Sequence, residues 1–495
     1  MDSVKDKKTQ FVVSESSSET EVGSTLGPTL TKAIDRRLLV KADIYVCSFL
    51  AVFYAIQFMD KVCVSLGAVM GIQEDLKMEG SMFSWVGSSV YLGYLVFELP
   101  LDYIMQRFPI AKVTAVCMTL WGVVLATSGA SQNYAGYITT RVLLGALEGV
   151  VTPSSLVIVS QWYKRTEQFS RICLIFGFCG FGAIVVDLMG YGLVVREESH
   201  SLPIAGWRLL FIILGAITIV FGILFWLHIP DSPPQAWFLT EKERQVHIER
   251  TRQNLQGYGT REFKWYQVRE TLLDYNTWLH FIYALFSSLP NGGLTSFSVL
   301  LIKGLGFTST RSSILMDIPS GGVMLVGCTL SALAFHFYFT KSRWIPAIFG
   351  SATTVMCMCL LAWGPNNASK LAGFFLWNWL SFVPYIAVIS WVSSNSAGHT
   401  KKLWTSGIVL IGFCVGNLIG PQTFKASEKP VYQTAKVVMA VSSIICLVCQ
   451  ALYIYFNMAE NRRRESVNAK LPDHIKDPIA ADLTDKENPE FRYAL

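Results

Sequence analysis

Apolar runs of one recurring length, separated by short polar interruptions, repeat along the 495 residues of the chain. A helix crosses the hydrocarbon core of a bilayer in about 20 predominantly apolar residues. Such runs lie near 43–66, 82–104, 112–130, 134–158, 171–194 and 207–229, and again near 277–302, 313–336, 344–363, 371–392, 403–424 and 435–458. The pattern predicts six membrane helices, a polar stretch, and six more. The polar stretch, "HIPDSPPQAWFLTEKERQVHIERTRQN" at 228–254, follows the uncharged "LLFIILGAITIVFGILFWL" at 209–227. Pro230, Pro233 and Pro234 end the sixth helix there. Thr240 stands three residues before Glu243, the spacing of a capping box. A charged helix is predicted to follow, lying along the membrane surface and tethering the two halves.

The expected organisation is a disordered cytoplasmic tail at 1–42, a six-helix bundle at 43–229 and a cytoplasmic linker at 230–276. A second six-helix bundle at 277–458 and a cytoplasmic tail at 459–495 complete it. The first tail, with "SESSSETEVGST" at 14–25, has no signal-peptide pattern and too little apolar surface to fold.

Composition supports the membrane reading. Only 15% of the residues are charged, against about 25% in soluble proteins, which is too few to cover a water-facing surface. The net charge of +6 does not indicate a nucleic-acid partner, because the basic residues sit in loops and tails between apolar runs. The 11 cysteines lie almost entirely within apolar segments, where a secreted disulfide framework would not put them. Cys446-Leu-Val-Cys449 has redox spacing but lies inside "AVSSIICLVCQALYIYF", so its thiols read as small apolar groups. No metal or cofactor is expected.

The basic residues set the orientation. An even number of spans puts both termini and the linker on one side. The linker holds Lys242, Arg244, Arg250, Arg252, Arg261, Lys264 and Arg269, the last span is followed by Arg462, Arg463 and Arg464, and the loop after the fourth by Lys164, Arg165 and Arg171. These faces are expected to be cytoplasmic. In the second half Lys401 and Lys402 inside are balanced by Lys425 and Lys429 outside. The sequon Asn367-Ala368-Ser369 falls in a predicted outer loop, so Asn367 is a glycosylation candidate.

An internal repeat links the halves: "IFGFCGFGAIV" from Ile175 and "LIGFCVGNLIG" from Leu410 each occupy the fifth span of a half and follow a basic loop. Transporters built from repeated halves place their site near the midplane between them.

Ionisable residues at membrane depth cost roughly 2.5–3.5 kcal/mol each on insertion scales and are functional candidates by default. In "RVLLGALEGVVTP", Arg141 and Glu148 are about 20° short of two full turns apart and so share one face, separated by about 10.5 Å along the axis. That face should meet a cavity, with Gly145 and Gly149 admitting a close neighbour. The bland reading is a static network in which Arg141 bonds carbonyls. Glu148, at a depth where permanent charge is expensive, suits a group that loads and releases a proton. Lys61, in "AIQFMDKVCVSLG", could meet a substrate anion, pair with adjacent Asp60, or snorkel. Glu98 and Asp102, in "FELPLDYIMQRF", approach the inner end of the second span and suit gate or loop-pairing roles with Arg107. Asp187 and Asp317 are weaker candidates near span ends, and His336 reads as interfacial.

These residues resemble the major facilitator superfamily and, within its anion:cation symporter family, the fungal allantoate-permease branch. The resemblance covers roughly 43–458. It rests on "RVLLGALEGVVTPSS" at 141–155, on "GWRLLFIILGAITIVFGILFWLHIPDSPPQAWFLTEKER" at 206–244, and on "NSAGHTKKLWTSGIVLIGFCVGNLIGPQTFKASEKPVY" at 395–432. It implies the major facilitator fold, all-α with twelve transmembrane helices in two six-helix bundles. It also implies proton-driven import of small, mostly anionic nutrients: ureides, vitamin carboxylates such as nicotinate or pantothenate, sulfur compounds, short peptides. Arg141 and Glu148 match the fourth-helix motif, with the glutamate tied to proton coupling. Lys61 stands where relatives commonly carry arginine, which gives up bidentate carboxylate recognition. The loop after the second span, "QRFPIAK", departs from Asp-Arg-x-Gly-Arg. The seventh span, "SSLPNGGLTSFSVLL", lacks the cation that vesicular glutamate-type relatives use there, leaving Asn291 and its polar neighbours.

The leading expectation is a proton-coupled importer of a small organic anion, working as a monomer by alternating access. Lys61 and Arg141 would hold the anion, Asn291, Tyr91, Trp377 and Tyr385 would shape the pocket, and Glu148 would take the proton. The alternative is a non-transporting membrane nutrient sensor or an embedded enzyme. No hydrolase, metalloprotease or P-loop motif is present, and the longest internal loop is too short for a catalytic domain. The plasma membrane is the expected location, with the endoplasmic reticulum as the alternative.

Overall fold

The computed structural model describes residues 28–200, 202–255, 263–337, 344–467 and 482–495. Backbone N–H and C=O groups in hydrocarbon have no water to bond, so the apolar runs satisfy them internally as helices. The first half comprises α1 (Pro28–Ala42, a π turn Asp43–Cys47, and Ser48–Val69), α2 (Met82–Arg107), α3 (Ile110–Gly129), α4 (Tyr134–Glu148 and Val151–Trp162), α5 (Arg165–Glu198) and α6 (Gly206–His228). Two linker helices follow, α7 (Glu241–Leu255) and α8 (Trp265–Leu273). The second half comprises α9 (Tyr275–Gly304), α10 (Thr310–Phe337), α11 (Trp344–Trp363), α12 (Asn367–Leu380 and Phe382–Asn395), α13 (His399–Ile419) and α14 (Gln433–Val467).

Eleven of these helical stretches are long and apolar enough to cross a membrane. The twelfth is α2, whose second half carries Glu98, Asp102 and Arg107 and which packs against α4 and α13. The two bundles meet along α5 with α10, α1 with α9, and α2 with α13. The sequence repeat maps onto this symmetry. Helix α5 lies against α1 and α10, and α13 lies against α9 and α2, so each Gly-Phe-Cys helix joins the first helix of its own half to the second helix of the other.

Glycines let α2 and α4 approach to backbone contact. A methyl group on Gly145 would strike the Val90 carbonyl oxygen, and one on Gly93 the carbonyl of Val142. Overpacking such a contact costs about 1–3 kcal/mol. Gly145→Ala is therefore expected to lower the melting temperature of the detergent-solubilised protein. Gly192→Ala, with open space around its new methyl, leaves it unchanged. Equal melting curves for the two variants would show that α2 and α4 can part without loss.

Two expectations outside the bundles are corrected. Residues 28–42, read from sequence as disordered, are helical, and residues 1–27 lie outside the described residues. Ion pairs hold this polar extension: Asp35 lies 3.0 Å from Lys164 and 2.6 Å from Arg250, and Lys41 lies 2.7 Å from Glu243. Leu38 and Ala42 are buried beneath it. The α7 helix begins at the expected capping box, with the Thr240 amide donating to Glu243 Oε2 at 3.0 Å and the Glu243 amide to Thr240 Oγ1 at 3.4 Å. It docks on the first bundle, not along a bare membrane surface. Its His247 packs on Trp162 at 5.0 Å between ring centroids, and Arg250 reaches Glu167 at 2.6 Å. Burial, with the Arg250 guanidinium beside it, pushes the His247 imidazole down to about 4, so it packs as a neutral ring.

The end of the chain folds back onto the second bundle. Lys401 Nζ gathers Glu270 and Asp274 at 2.8 and 2.9 Å and Asp485 of the tail at 2.7 Å. Arg464 Nη1 donates to the carbonyls of Asp485, Asn488 and Phe491.

Candidate functional site

A cavity of about 130 Å³ lies between the bundles. Gln57, Lys61, Thr152 and Cys179 line it from the first bundle, and Tyr283, Asn291, Trp377, Tyr385 and Phe413 from the second. Helix irregularities surround it. The α4 helix breaks at Gly149–Val150, α9 carries Pro290, and α12 breaks at Ser381 next to Pro384. Proline and glycine at such points are where helices bend.

Lys61 and Glu148 form the polar centre of the wall. Lys61 Nζ lies 3.1 Å from Glu148 Oε1, and Gln57 Nε2 donates to the same oxygen at 2.7 Å. The lysine side chain is 20% exposed and the glutamate 1%, so the cation faces the cavity and the carboxylate sits sealed behind it. Glu148 Oε2 has no hydrogen-bond partner among the described residues. The ammonium also lies 5.9 Å from the Tyr91 ring centroid, and Tyr91 is buried just outside the lining.

Arg141 occupies the next layer. Its Nη1 is 3.4 Å from Asp60 Oδ1, Trp121 Nε1 donates to Asp60 Oδ2 at 2.8 Å, and the guanidinium lies 5.0 and 4.8 Å from the ring centroids of Tyr137 and Phe211. It is buried and does not line the cavity. The two consecutive charges of α1 thus pair crosswise with the two charges of α4: Asp60 with Arg141, Lys61 with Glu148. Neighbours in sequence do not face each other on a helix, which is why Asp60 and Lys61 take separate partners. Sequence reasoning left Gln57, Trp121 and the cavity residues Thr152, Cys179, Tyr283 and Phe413 unassigned, and it placed Asp60 only as a possible partner of Lys61. The signal for Asp60 was present as an intramembrane acid, but its partner lies on another helix.

Asn291, Trp377 and Tyr385 reach the cavity together with Lys61. Glu98 does not; it is buried on the linker side of the break at Gly149, whose added methyl would lie 3.1 Å from its Oε2. Arg107 is exposed, with its guanidinium 4.6 Å from the Tyr103 ring centroid. The side chains of Asp102 and His336 lie outside those described. Asn367 is exposed at the start of α12, on the face opposite the linker.

On that far face, hydrogen bonds join the bundles. Ser65 Oγ lies 3.2 Å from Ser298 Oγ and accepts from the Val299 amide at 3.0 Å. Ser88 Oγ donates to the Leu418 carbonyl at 2.6 Å, and Lys429 Nζ to Gln73 Oε1 at 3.0 Å. Arg311 and Glu198 form an ion pair across the same seam.

Two repeated helical bundles around a midplane cavity with buried ion pairs define a membrane transporter. The chain belongs to the major facilitator superfamily, whose family model matches residues 50–421, in the branch that contains the fungal allantoate permease. The Allantoate permease of Saccharomyces cerevisiae is 41% identical over 481 residues, covering 94% of this chain and 88% of that protein. An uncharacterized transporter of Schizosaccharomyces pombe is 40% identical over 473 residues, covering 94% and 93%. Among solved structures, the proton:xylose symporter XylE bound to 6-bromo-6-deoxy-D-glucose superposes with a TM-score of 0.63 at 14% identity, covering 84% of this chain and 96% of that one. The protein is an integral, multi-pass carrier of small molecules and not an enzyme.

Proposed function

We propose that this carrier is a proton-coupled symporter that imports a small organic anion by alternating access of its two bundles. The observation that carries the reading is the Lys61–Glu148 pair in the cavity wall. In a medium of low dielectric constant, uncompensated charge is expensive, so the states that can reorient are those in which the site is neutral. The empty site is neutral as Lys61 ammonium on Glu148 carboxylate. Binding an anion on Lys61 displaces that carboxylate, and neutrality returns only when Glu148 takes a proton. Anion alone leaves one negative charge and proton alone one positive. Both halves of the cargo must therefore load together.

Allantoate, for which the yeast relative is named, is a carboxylate, which fits Lys61 among Asn291, Trp377 and Tyr385. Arg141 acts as a positioning residue that fixes α4 to α1 through Asp60. The linker face is cytoplasmic, Asn367 lies outside and is glycosylated, and the carrier works as a monomer in the plasma membrane.

Uptake of labelled allantoate into cells lacking their own permease tests the reading. Accumulation above the outside concentration is expected, and a protonophore abolishes it. Accumulation that survives the protonophore removes the proton from the mechanism. The orientation has its own check: Asn367→Gln should abolish the glycosidase-sensitive mass, and modification of a sequon engineered into α7 would reverse the topology.

A further inference from the structure

A second pair of intramembrane carboxylates lies between the bundles and takes no part in the central site. Asp187 on α5 and Asp317 on α10 are 1% and 3% exposed. The register of these antiparallel helices sets them opposite each other. Gly177 lies against Cys328, Gly180 against Met324 and Ala183 against Gly321, so each step toward the far face on α5 matches a step back on α10. The next turn of the same register sets Asp187 opposite Asp317. Asp317 Oδ2 accepts from Ser298 Oγ at 2.9 Å and its Oδ1 from Ser320 Oγ at 3.4 Å. Neither oxygen of Asp187 has a hydrogen-bond donor among the described residues.

Among the described residues, the surroundings supply no compensating cation. Helices α1 and α9 face the pair with the hydroxyls of Ser65 and Ser298, which touch each other at 3.2 Å. The cation of α1 at membrane depth, Lys61, is held by Glu148, and Arg311 of α10 is paired with Glu198. Lys303, near the outer end of α9, lines the far vestibule together with Val194, Glu197 and Glu198. Asp187 stands about 12 Å beyond the cavity residue Cys179 and about 10 Å short of Val194, at 1.5 Å of rise per residue. It therefore sits between cavity and vestibule, at the seam that parts when the far face opens.

Two carboxylates sharing a dry site cannot both ionise. With the seam closed, at least one proton must be held between them. With it open, water reaches both, both ionise, and they repel. We propose that Asp187 and Asp317 form a proton-binding latch on the far gate, in which one shared proton holds the gate closed and its loss to the far-face medium releases it. The inference rests on the alternating access proposed above. This proton comes from the far-face water and returns to it, so it sets when the gate closes without adding to the protons carried with substrate. The closed state binds more protons than the open one, so acid on the far face favours closure.

The test uses full-length protein in liposomes carrying Ser287→Cys, in the central cavity, which an external reagent reaches only through the open far gate. Labelling by a membrane-impermeant maleimide is measured across external pH, each rate divided by that of the denatured sample at the same pH. One linked proton shifts the closing equilibrium by up to about tenfold per pH unit, so labelling should fall with acid toward that slope. In the Asp187→Asn, Asp317→Asn double variant it should be slow and flat. A wild-type chain without a slope, or a double variant that keeps it, overturns the latch. If the double variant does not fold, infrared spectra of Glu148→Gln protein decide. The carbonyl band of a protonated carboxylic acid must persist above the pH at which exposed carboxylates ionise, and its absence also overturns the proposal. Failure of the central proton site shows instead as accumulation by Glu148→Gln, which leaves the labelling slope untouched.

Discussion

Glu148→Gln should lose uphill accumulation while still exchanging substrate across the membrane. Glutamine is neutral, as protonated Glu148 is, so the site loaded with an anion on Lys61 keeps its charge balance and can reorient. The empty site cannot, because Lys61 is then left without its carboxylate, 3.1 Å away in the native protein. Breaking a buried pair by removing one partner costs about 3–5 kcal/mol, which slows return of the empty carrier by about 10²–10⁴-fold. Net uptake requires that return and exchange does not. Counterflow in reconstituted vesicles should therefore stay near native while uptake driven by an imposed pH gradient falls to background. Glu148→Asp should keep some coupling with a shifted pH optimum. If Glu148→Gln concentrates substrate under a pH gradient, this carboxylate is structural and the coupling group must be sought at Glu98, Asp102 or Asp317.

Lys61→Ala should abolish uptake by a different route. It removes the cavity's cationic anchor and leaves Glu148 buried beside Gln57 alone. Truncating one partner of a buried, hydrogen-bonded charge pair costs about 2–5 kcal/mol, so affinity for an anionic substrate should fall by about 30-fold or more. Lys61→Arg keeps the charge and adds a planar donor fork, so it should retain part of the binding. Equilibrium binding of labelled substrate to the purified variants reads both effects. Unchanged affinity in Lys61→Ala would mean that the lysine only positions α1.

The bundles were legible in sequence because hydrocarbon imposes one length and one polarity on each span. The two six-helix groups, the break at Pro230 and the capping box at Thr240 all followed from that constraint. Residues 28–42 and 482–495 were not legible. They are polar and acquire order only by docking: Asp35 on Arg250, Asp485 on Lys401. The candidate site was legible as a list and not as a network. Arg141 and Glu148 were visible as one face of α4, and Lys61 as a cation at depth. That Asp60 takes Arg141 while Lys61 takes Glu148 depends on how α1 packs on α4, which no local pattern encodes. The opposition of Asp187 and Asp317 likewise appears only when α5 and α10 are set in register.

The crosswise pairing of α1 and α4 also bears on the membrane potential. Two acids, Asp60 and Glu148, balance two bases, Lys61 and Arg141, so the empty site carries no net charge through the field. One elementary charge moved through 100 mV gains or loses about 2.3 kcal/mol. A monoanion with its proton adds nothing to that sum, so its uptake should respond to a pH gradient and ignore an imposed voltage. A dianion with one proton would move a negative charge inward against an inside-negative potential, and each further 100 mV would oppose it by the same amount. Under the proposed one-proton import, this balance favours cargo with a single negative charge in an electrically polarised cell.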